Sequence, residues 1–305
     1  MTTSSTSDLR GDPRRLRRER RLRTLFAGAA LASILLSLLI VLSLVGEAWN
    51  FLRTVEWASL WSIGWFPRRG VFDLRTIVAA TLLTSLIAMI VATPLGLGAA
   101  VYLAEYASPR MRRVLKPILE ILAGIPSVVV GYFALTWISP NLVQRLLEAQ
   151  VFNLLAAGIG VGVLVTPLVA SVSEDALRAV PRTLREASFG LGARKATTVR
   201  KIVLPAAVSG IVASLILGVS RAIGETMVVA MAAGATGGGL LTLNPLEPGI
   251  TMTAAMASLA IGSDQVAGAS NAFQSLFFVG LVLFLITLGL NVVSDRFVRR
   301  VRSKY

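Results

Sequence analysis

The stretch SRAIGETM, residues 220–227, places Arg221 and Glu225 four residues apart inside apolar sequence, IVASLILGV before and VVAMAAGA after. A charge at the centre of a membrane helix costs at least ~2.5 kcal/mol on insertion scales, so both groups are expected to face a protein interior or a wet cavity. On an uninterrupted helix they share a face, one turn apart, and can pair. A guanidinium presents a planar fork of donors suited to an oxyanion. Glu225 can hold that fork when the anion is absent and keep it from binding the anion too tightly to release it, and Thr226 can add a hydroxyl donor. Together the three residues suit a translocation path for an oxyanion. The alternative is a structural ion pair that fixes helix packing. Other chemistry has little to work with: the chain has no cysteine and no histidine, the residues most used for metal binding, nucleophilic attack and general base catalysis near neutral pH.

The sequence around this pair is that of a membrane protein. Of 305 residues, 55% are hydrophobic and only 15% charged, against roughly 25% charged in soluble domains. Uncharged runs of about the 20 residues needed to cross a bilayer occupy Leu25–Gly46, Thr76–Ala104, Ile121–Gln144, Val151–Ser173 and Phe273–Ser294. Another, about Leu204–Gly234, is interrupted only by the Arg221/Glu225 pair. The expected architecture is therefore an all-α membrane domain, residues 24–305, with six spans. Residues 1–23 form a basic tail that is expected to be disordered. With the N-terminus inside, the cytoplasmic segments 1–23, 105–117, 174–203 and 295–305 hold 8, 4, 7 and 5 of the 30 Lys and Arg, and the outer loops 47–75, 145–152 and 235–272 hold 4, 1 and 0. That bias places both termini in the cytoplasm. The net charge of +14 then reflects topology and attraction to anionic lipid, with no nucleic acid needed. The first apolar run is longer than the core of a cleaved signal peptide and reads as an anchor.

Local features refine the picture. Trp49, Trp57, Trp61 and Trp65 crowd the first outer loop, where indole rings anchor at the headgroup level or meet an external partner. Pro94, Gly96 and Gly98 are expected to bend the second span and Pro126 the third. The apolar run 251–263 is too short to cross and reads as interfacial or re-entrant, and the glycines 237–239 read as loop punctuation. Glu120 lies four residues after Lys116 and can pair with it. No G-x-x-x-x-G-K-[ST] occurs, so the sequence carries no P-loop for ATP.

Between the fourth and fifth spans stands EASFGLGARKATTVRKIVLP, residues 186–205. Glu186 and Ala187 begin it, Ser188 is third, Gly192 follows after three residues, and Ile202, Leu204 and Pro205 follow after nine more. This resembles the Glu-Ala-Ala motif of type I ABC-importer permeases, with Ser188 for alanine as the one departure. The pattern suits a helix–turn–helix at the membrane face: Glu186 near a helix N-terminus where its charge complements the dipole, Gly192 at the turn, and Pro205 starting the next helix. PLGLGAAVYLAEYAS, LAGIPSVVVGYFAL and SRAIGETMVVAMAAG are similar to phosphate-specific (Pst) permeases, and the last, with the tryptophan-bearing loop, is closer to the PstC type than to the PstA type.

The resemblance covers the chain from about residue 25 onward. It implies a multi-pass subunit of the bacterial cytoplasmic membrane that is not itself an enzyme. It also implies that this subunit works with a PstA-type permease, two PstB-type ATPases and a PstS-type phosphate-binding protein. ATP and Mg would then belong to the ATPase, and this chain would need no cofactor. By the same resemblance the 186–205 segment couples to the ATPase; Arg221, Glu225 and Thr226 are the residues whose chemistry suits the path. Two alternatives stay open: the same architecture serving molybdate or sulfate, and a secondary transporter independent of any ATPase.

Overall fold

The computed structural model describes residues 13–234, 238–261 and 271–302. Helix α1 (Pro13–Thr54) begins within the expected tail: residues 13–23 are its first turns, while 1–12 lie outside the described residues. Arginine and leucine, which dominate 14–23, are strong helix formers, and an existing membrane helix gives them a nucleus to extend. Helix α1 leans on the last helix, α12 (Ala272–Arg302), and exposes most of its apolar surface.

Outside α1 the chain makes a compact cap. A 3₁₀ turn, Trp57–Trp61, leads into a two-residue antiparallel pair, β1 (Trp65–Phe66) with β2 (Val71–Phe72). Gly239 adds a backbone bridge to Trp65, so this glycine is a pairing partner of the strand pair. Trp65 is 1% exposed, edge-on to Phe72, whereas Trp49, Trp57 and Trp61 are exposed. Three of the four loop tryptophans thus suit the headgroup level and the fourth is core.

Asp73 caps helix α2 (Leu74–Val101), accepting from the Arg75 amide and the Thr76 hydroxyl. Helix α2 runs on through a π-turn to Tyr106. Pro94 sits inside a continuous helix. Its partner is α6 (Leu154–Ala179), and the two form the centre of the fold. Their approach depends on glycine. A Cβ at Gly158 would lie 2.6 Å from Ile87 Cγ2, and one at Gly162 would lie 2.8 Å from the Ala88 carbonyl. Small residues at such crossings let backbones approach closely, which is what holds helices together where lipid removes the hydrophobic drive.

The third span differs from expectation. Helix α3 (Pro109–Ala123) stops at Gly124, and a new helix starts at Ser127, bent by 87° from it. That helix is α4 (Ser127–Phe133), continuing through a π-helical stretch, Ala134–Gln144, into α5 (Arg145–Leu147). Pro126 therefore stands at the N-terminus of the crossing helix and not within it, where its missing N–H costs nothing. Ser127–Leu147 alone is long enough, at ~1.5 Å per residue, to cross ~30 Å of hydrocarbon. By length and composition the five long apolar helices make six spans when the bent pair Pro109–Ala123 and Ser127–Leu147 is counted as one broken span, an even number that returns the chain to its starting side.

After α6 come α7 (Arg182–Gly190) and α8 (Lys195–Thr198). Helix α8 runs through a π-turn directly into α9 (Leu204–Ile223), so Lys195–Ile223 is one rod. The chain then unwinds at Gly224–Thr226, re-forms α10 (Met227–Val229) and a π-turn to Gly234, and places α11 (Met252–Ile261) with its first turn buried. The Met252 amide donates to Thr81 Oγ1 of α2. This tucked N-terminus packs the start of α11 against α2. Residues 262–263 of the expected apolar run lie outside the described residues.

Candidate functional site

Helix α7 presents Leu184, Glu186, Ala187 and Phe189 outward, and Leu191 in the following turn is 89% exposed. Gly192 has φ +75°, the left-handed region, and a Cβ there would touch nothing. The turn thus needs glycine for its backbone and not for space. Ser188 sits in buried contact with Thr198, hydroxyl to hydroxyl at 2.8 Å, clipping α7 to α8. The residue that departs from the motif is the one that makes this bond. Glu186 is the fifth residue of α7, beyond its first turn, so the expected dipole contact is not made. Pro205 is the second residue of α9, as expected, although α9 continues without a break from α8 in the Lys195–Ile223 rod. The π-turn before it, closed by the Leu204 N–H to the Val199 carbonyl, carries the helix past the missing donor. Ile202 and Leu204 are half-buried along this rod.

The segment is anchored to the helix ends beneath it. Arg185 donates to Glu105 Oε1 at 2.8 and 3.1 Å and to the carbonyls of Leu177 and Val180. One guanidinium thereby ties α7 to α2 and closes the end of α6. The Lys195 ammonium lies 4.9 Å from the centre of the Tyr106 ring. These contacts put the ends of α2 and α6 and the motif segment on one face of the molecule.

On that face is a cluster of charged residues from the segments 105–117 and 174–203. Glu174 of α6 is fully buried. Arg112 of α3 donates to its Oε1 at 2.6 Å, Lys116 lies 3.1 Å from its Oε2, and Arg178 lies 3.8 Å from Oε1. Lys116 also donates to Asp175 at 3.1 Å. Burial alone would lower the pKa of Lys116, but the Asp175 and Glu174 carboxylates outweigh it, and the ammonium is held above the ordinary lysine value. Lys116 is thus paired across to α6, and the expected Lys116–Glu120 pair is not made; Glu120 is exposed. The signal was available: Arg112 and Lys116 are one turn apart on α3, as are Glu174 and Arg178 on α6.

Arg221 and Glu225 are separated by the break that follows α9. Arg221 is exposed in the last turn of α9, whereas Glu225 is 6% exposed. Among the described residues no ion pair joins them. Helix α9 ends at Gly224, and Thr253 Oγ1 donates to the Glu225 carbonyl at 2.7 Å, holding the turn before α10. Thr226 opens α10, its hydroxyl 3.3 Å from the Gly224 carbonyl. The break therefore turns the guanidinium outward and the carboxylate inward, two adjacent positions of opposite charge at the end of the rod that begins in the motif segment.

This fold, with an exposed motif segment on one face and a charged helix break along the rod that leaves it, is that of an importer permease. Residues 92–304 match the family described as "Binding-protein-dependent transport system inner membrane component", and the chain belongs to that family. It is a membrane permease subunit of an ABC importer; ATP hydrolysis in this family resides in a separate subunit. The phosphate transport system permease protein PstC 1 of Mycobacterium tuberculosis is 36% identical over 256 residues, covering 77% of this chain and 75% of that one. PstC of Pasteurella multocida is 29% identical over 294 residues, 90% of each. Among solved structures, a bacterial ABC transporter that imports the acidic polysaccharide alginate aligns with TM-score 0.64 at 16% identity, covering 94% of this chain and 99% of that one. At that identity the likeness concerns the fold alone.

Proposed function

We propose that this chain is the PstC-type permease of a phosphate importer in the bacterial cytoplasmic membrane. The observation that carries the substrate is the 36% identity to a phosphate transport permease over three quarters of the chain. The other subunits on this reading are a PstA-type permease, two PstB-type ATPases that bind ATP and Mg, and a PstS-type phosphate-binding protein on the outer side.

The geometry supports a route for coupling. The ATPase engages the outward side chains of α7 and its turn, Glu186 and Ala187 among them. Gly192 sets the turn, and Ile202, Leu204 and Pro205 carry its movement into α9. The rod of 29 residues, Lys195–Ile223, reaches Arg221 at its far end, roughly 24 Å beyond Pro205 at ~1.5 Å per residue. Arg221 meets the phosphate in the open path. Glu225 and Thr226, on the unwound turn, change their distance from Arg221 as the rod moves. ATP drives the cycle only insofar as the ATPase binds one permease conformation better than the other.

The experiment is labelled phosphate uptake in cells lacking the gene, complemented with the wild type or with Arg221→Gln, with molybdate and sulfate as parallel substrates. Loss of phosphate uptake alone, restored by the wild type but not by the variant in a normally assembled complex, is the expected result. Normal phosphate uptake with loss of another oxyanion would keep the permease and overturn the substrate.

A further inference from the structure

We propose that α3 is an in-plane helix that binds the anionic headgroups of the cytoplasmic leaflet, held at the membrane surface by its ion pairs to Glu174.

Three observations converge on α3. Its direction is the first: it meets the helix that follows at 87°. With Ser127–Leu147, long enough to cross at ~1.5 Å per residue, as the crossing part of this broken span, α3 lies along the membrane surface. The ends of α2 and α6 fix which surface, since Ser108 caps α3 directly after α2 and Arg112 and Lys116 bond to α6.

The second is the distribution of its side chains. Met111, Val114, Ile118, Ile121 and Leu122 recur at spacings of three and four, and all are exposed, Ile121 at 71%. No residue of α3 is fully buried. An apolar stripe of this kind on a surface-lying helix sinks into the boundary between headgroups and acyl chains. The opposite side is committed to protein, because Arg112 and Lys116 point at Glu174. The apolar stripe therefore cannot roll toward α6 without breaking a buried ion cluster.

The third is charge. Arg110 and Arg113 lie on the flank of the stripe, exposed, and among the described residues neither makes an ion pair. A cavity of about 440 Å³ opens beside Arg113, its wall shared by Glu120 and by Arg112 and Lys116, which are already paired with Glu174. Arginines at the rim of an apolar stripe bury their stems along it and leave the guanidinium at headgroup height. A phosphodiester there meets unpaired donors. The charge complementarity selects an anionic lipid over a neutral one, and each basic residue near such a surface strengthens binding about fivefold.

The test uses the full chain, purified with the subunits that accompany it and reconstituted in phosphatidylcholine nanodiscs with and without phosphatidylglycerol. The chain has no cysteine, so Val114→Cys and Ile121→Cys each carry a single nitroxide. Greater accessibility of both labels to oxygen than to a water-soluble nickel chelate is expected. Inaccessibility to both agents would mean that the stripe is covered by a protein partner, and greater accessibility to nickel would mean that it faces water; either overturns the proposal. In parallel, Arg110→Gln and Arg113→Gln should each lower the enrichment of phosphatidylglycerol around the protein about fivefold. Enrichment unchanged in both variants would overturn the headgroup recognition. Both residues are exposed and outside the Glu174 cluster, so the variants keep the helix in place.

Discussion

Arg112 and Glu174, 62 residues apart in sequence, meet at 2.6 Å where α3 crosses the end of α6. Glu174 is fully buried while Arg112 and Lys116 keep about a quarter of their side chains exposed. The carboxylate is therefore the member that depends on the cluster, and the cations can turn to water without it. Breaking a buried pair costs ~3–5 kcal/mol when the charge left behind cannot escape. Arg112→Gln still leaves Lys116 beside Glu174 and should cost less than that. Replacing both Arg112 and Lys116 with Gln should cost more than the two single losses added, read as thermal unfolding of the purified protein. Additive losses would mean that Glu174 is stabilised by something other than these two cations.

The turn after α7 has a narrower requirement. Gly192 occupies the left-handed region with open space around its α-carbon. Gly192→Ala should then cost roughly 1–2 kcal/mol through its backbone alone, and Gly192→Asn less, because asparagine tolerates that region. Gly190 also has open space but no positive φ, so Gly190→Ala should be neutral or slightly stabilising. The measurement is amide hydrogen exchange over 188–198, with substrate-stimulated ATPase activity of the assembled importer as the functional readout.

Asp73 makes the outer cap sensitive to acid. Burial alone would raise its pKa, but hydrogen bonds from Thr76, Arg75 and the Gly64 amide outweigh that and hold it below the ordinary 3.8. A carboxyl with a lowered folded-state pKa contributes stability that is fully present above its unfolded value and is lost as pH falls through the folded one. The cap should therefore be indifferent to pH from neutrality down to about 5 and loosen only below 3.8. Exchange of the Gly64 and Trp65 amides against pH checks this, and Asp73→Asn should remove the acid dependence.

The separation of Arg221 from Glu225 has a thermodynamic signature. Unpaired groups contribute independently, so the stability losses of Arg221→Gln and Glu225→Gln should add within ~0.5 kcal/mol. A coupling well above that would mean that the pair forms in the state measured. Of the two, Glu225→Gln should change stability by the larger amount, because only Glu225 is buried.

The sequence alone determined the membrane class, the apolar runs long enough to cross and the motif segment, since these rest on local composition and fixed spacing. Spans follow from the length of uncharged runs. The turn at Gly192 was legible for the same reason, since a left-handed residue is a local demand. What tertiary structure decided involves partners distant in the chain. The span beginning near Ile121 became two helices bent by 87° because Gly124 and Pro126 allow the bend and Glu174, on another helix, holds α3 to one side. The Lys116–Glu120 pair lost to a buried carboxylate that offered a better-shielded partner. Arg221 and Glu225, spaced to pair on a helix, were parted because Thr253 captures the backbone between α9 and α10. Spacing states which groups can meet on one element; which of them do is settled by the competition from every other element packed against it.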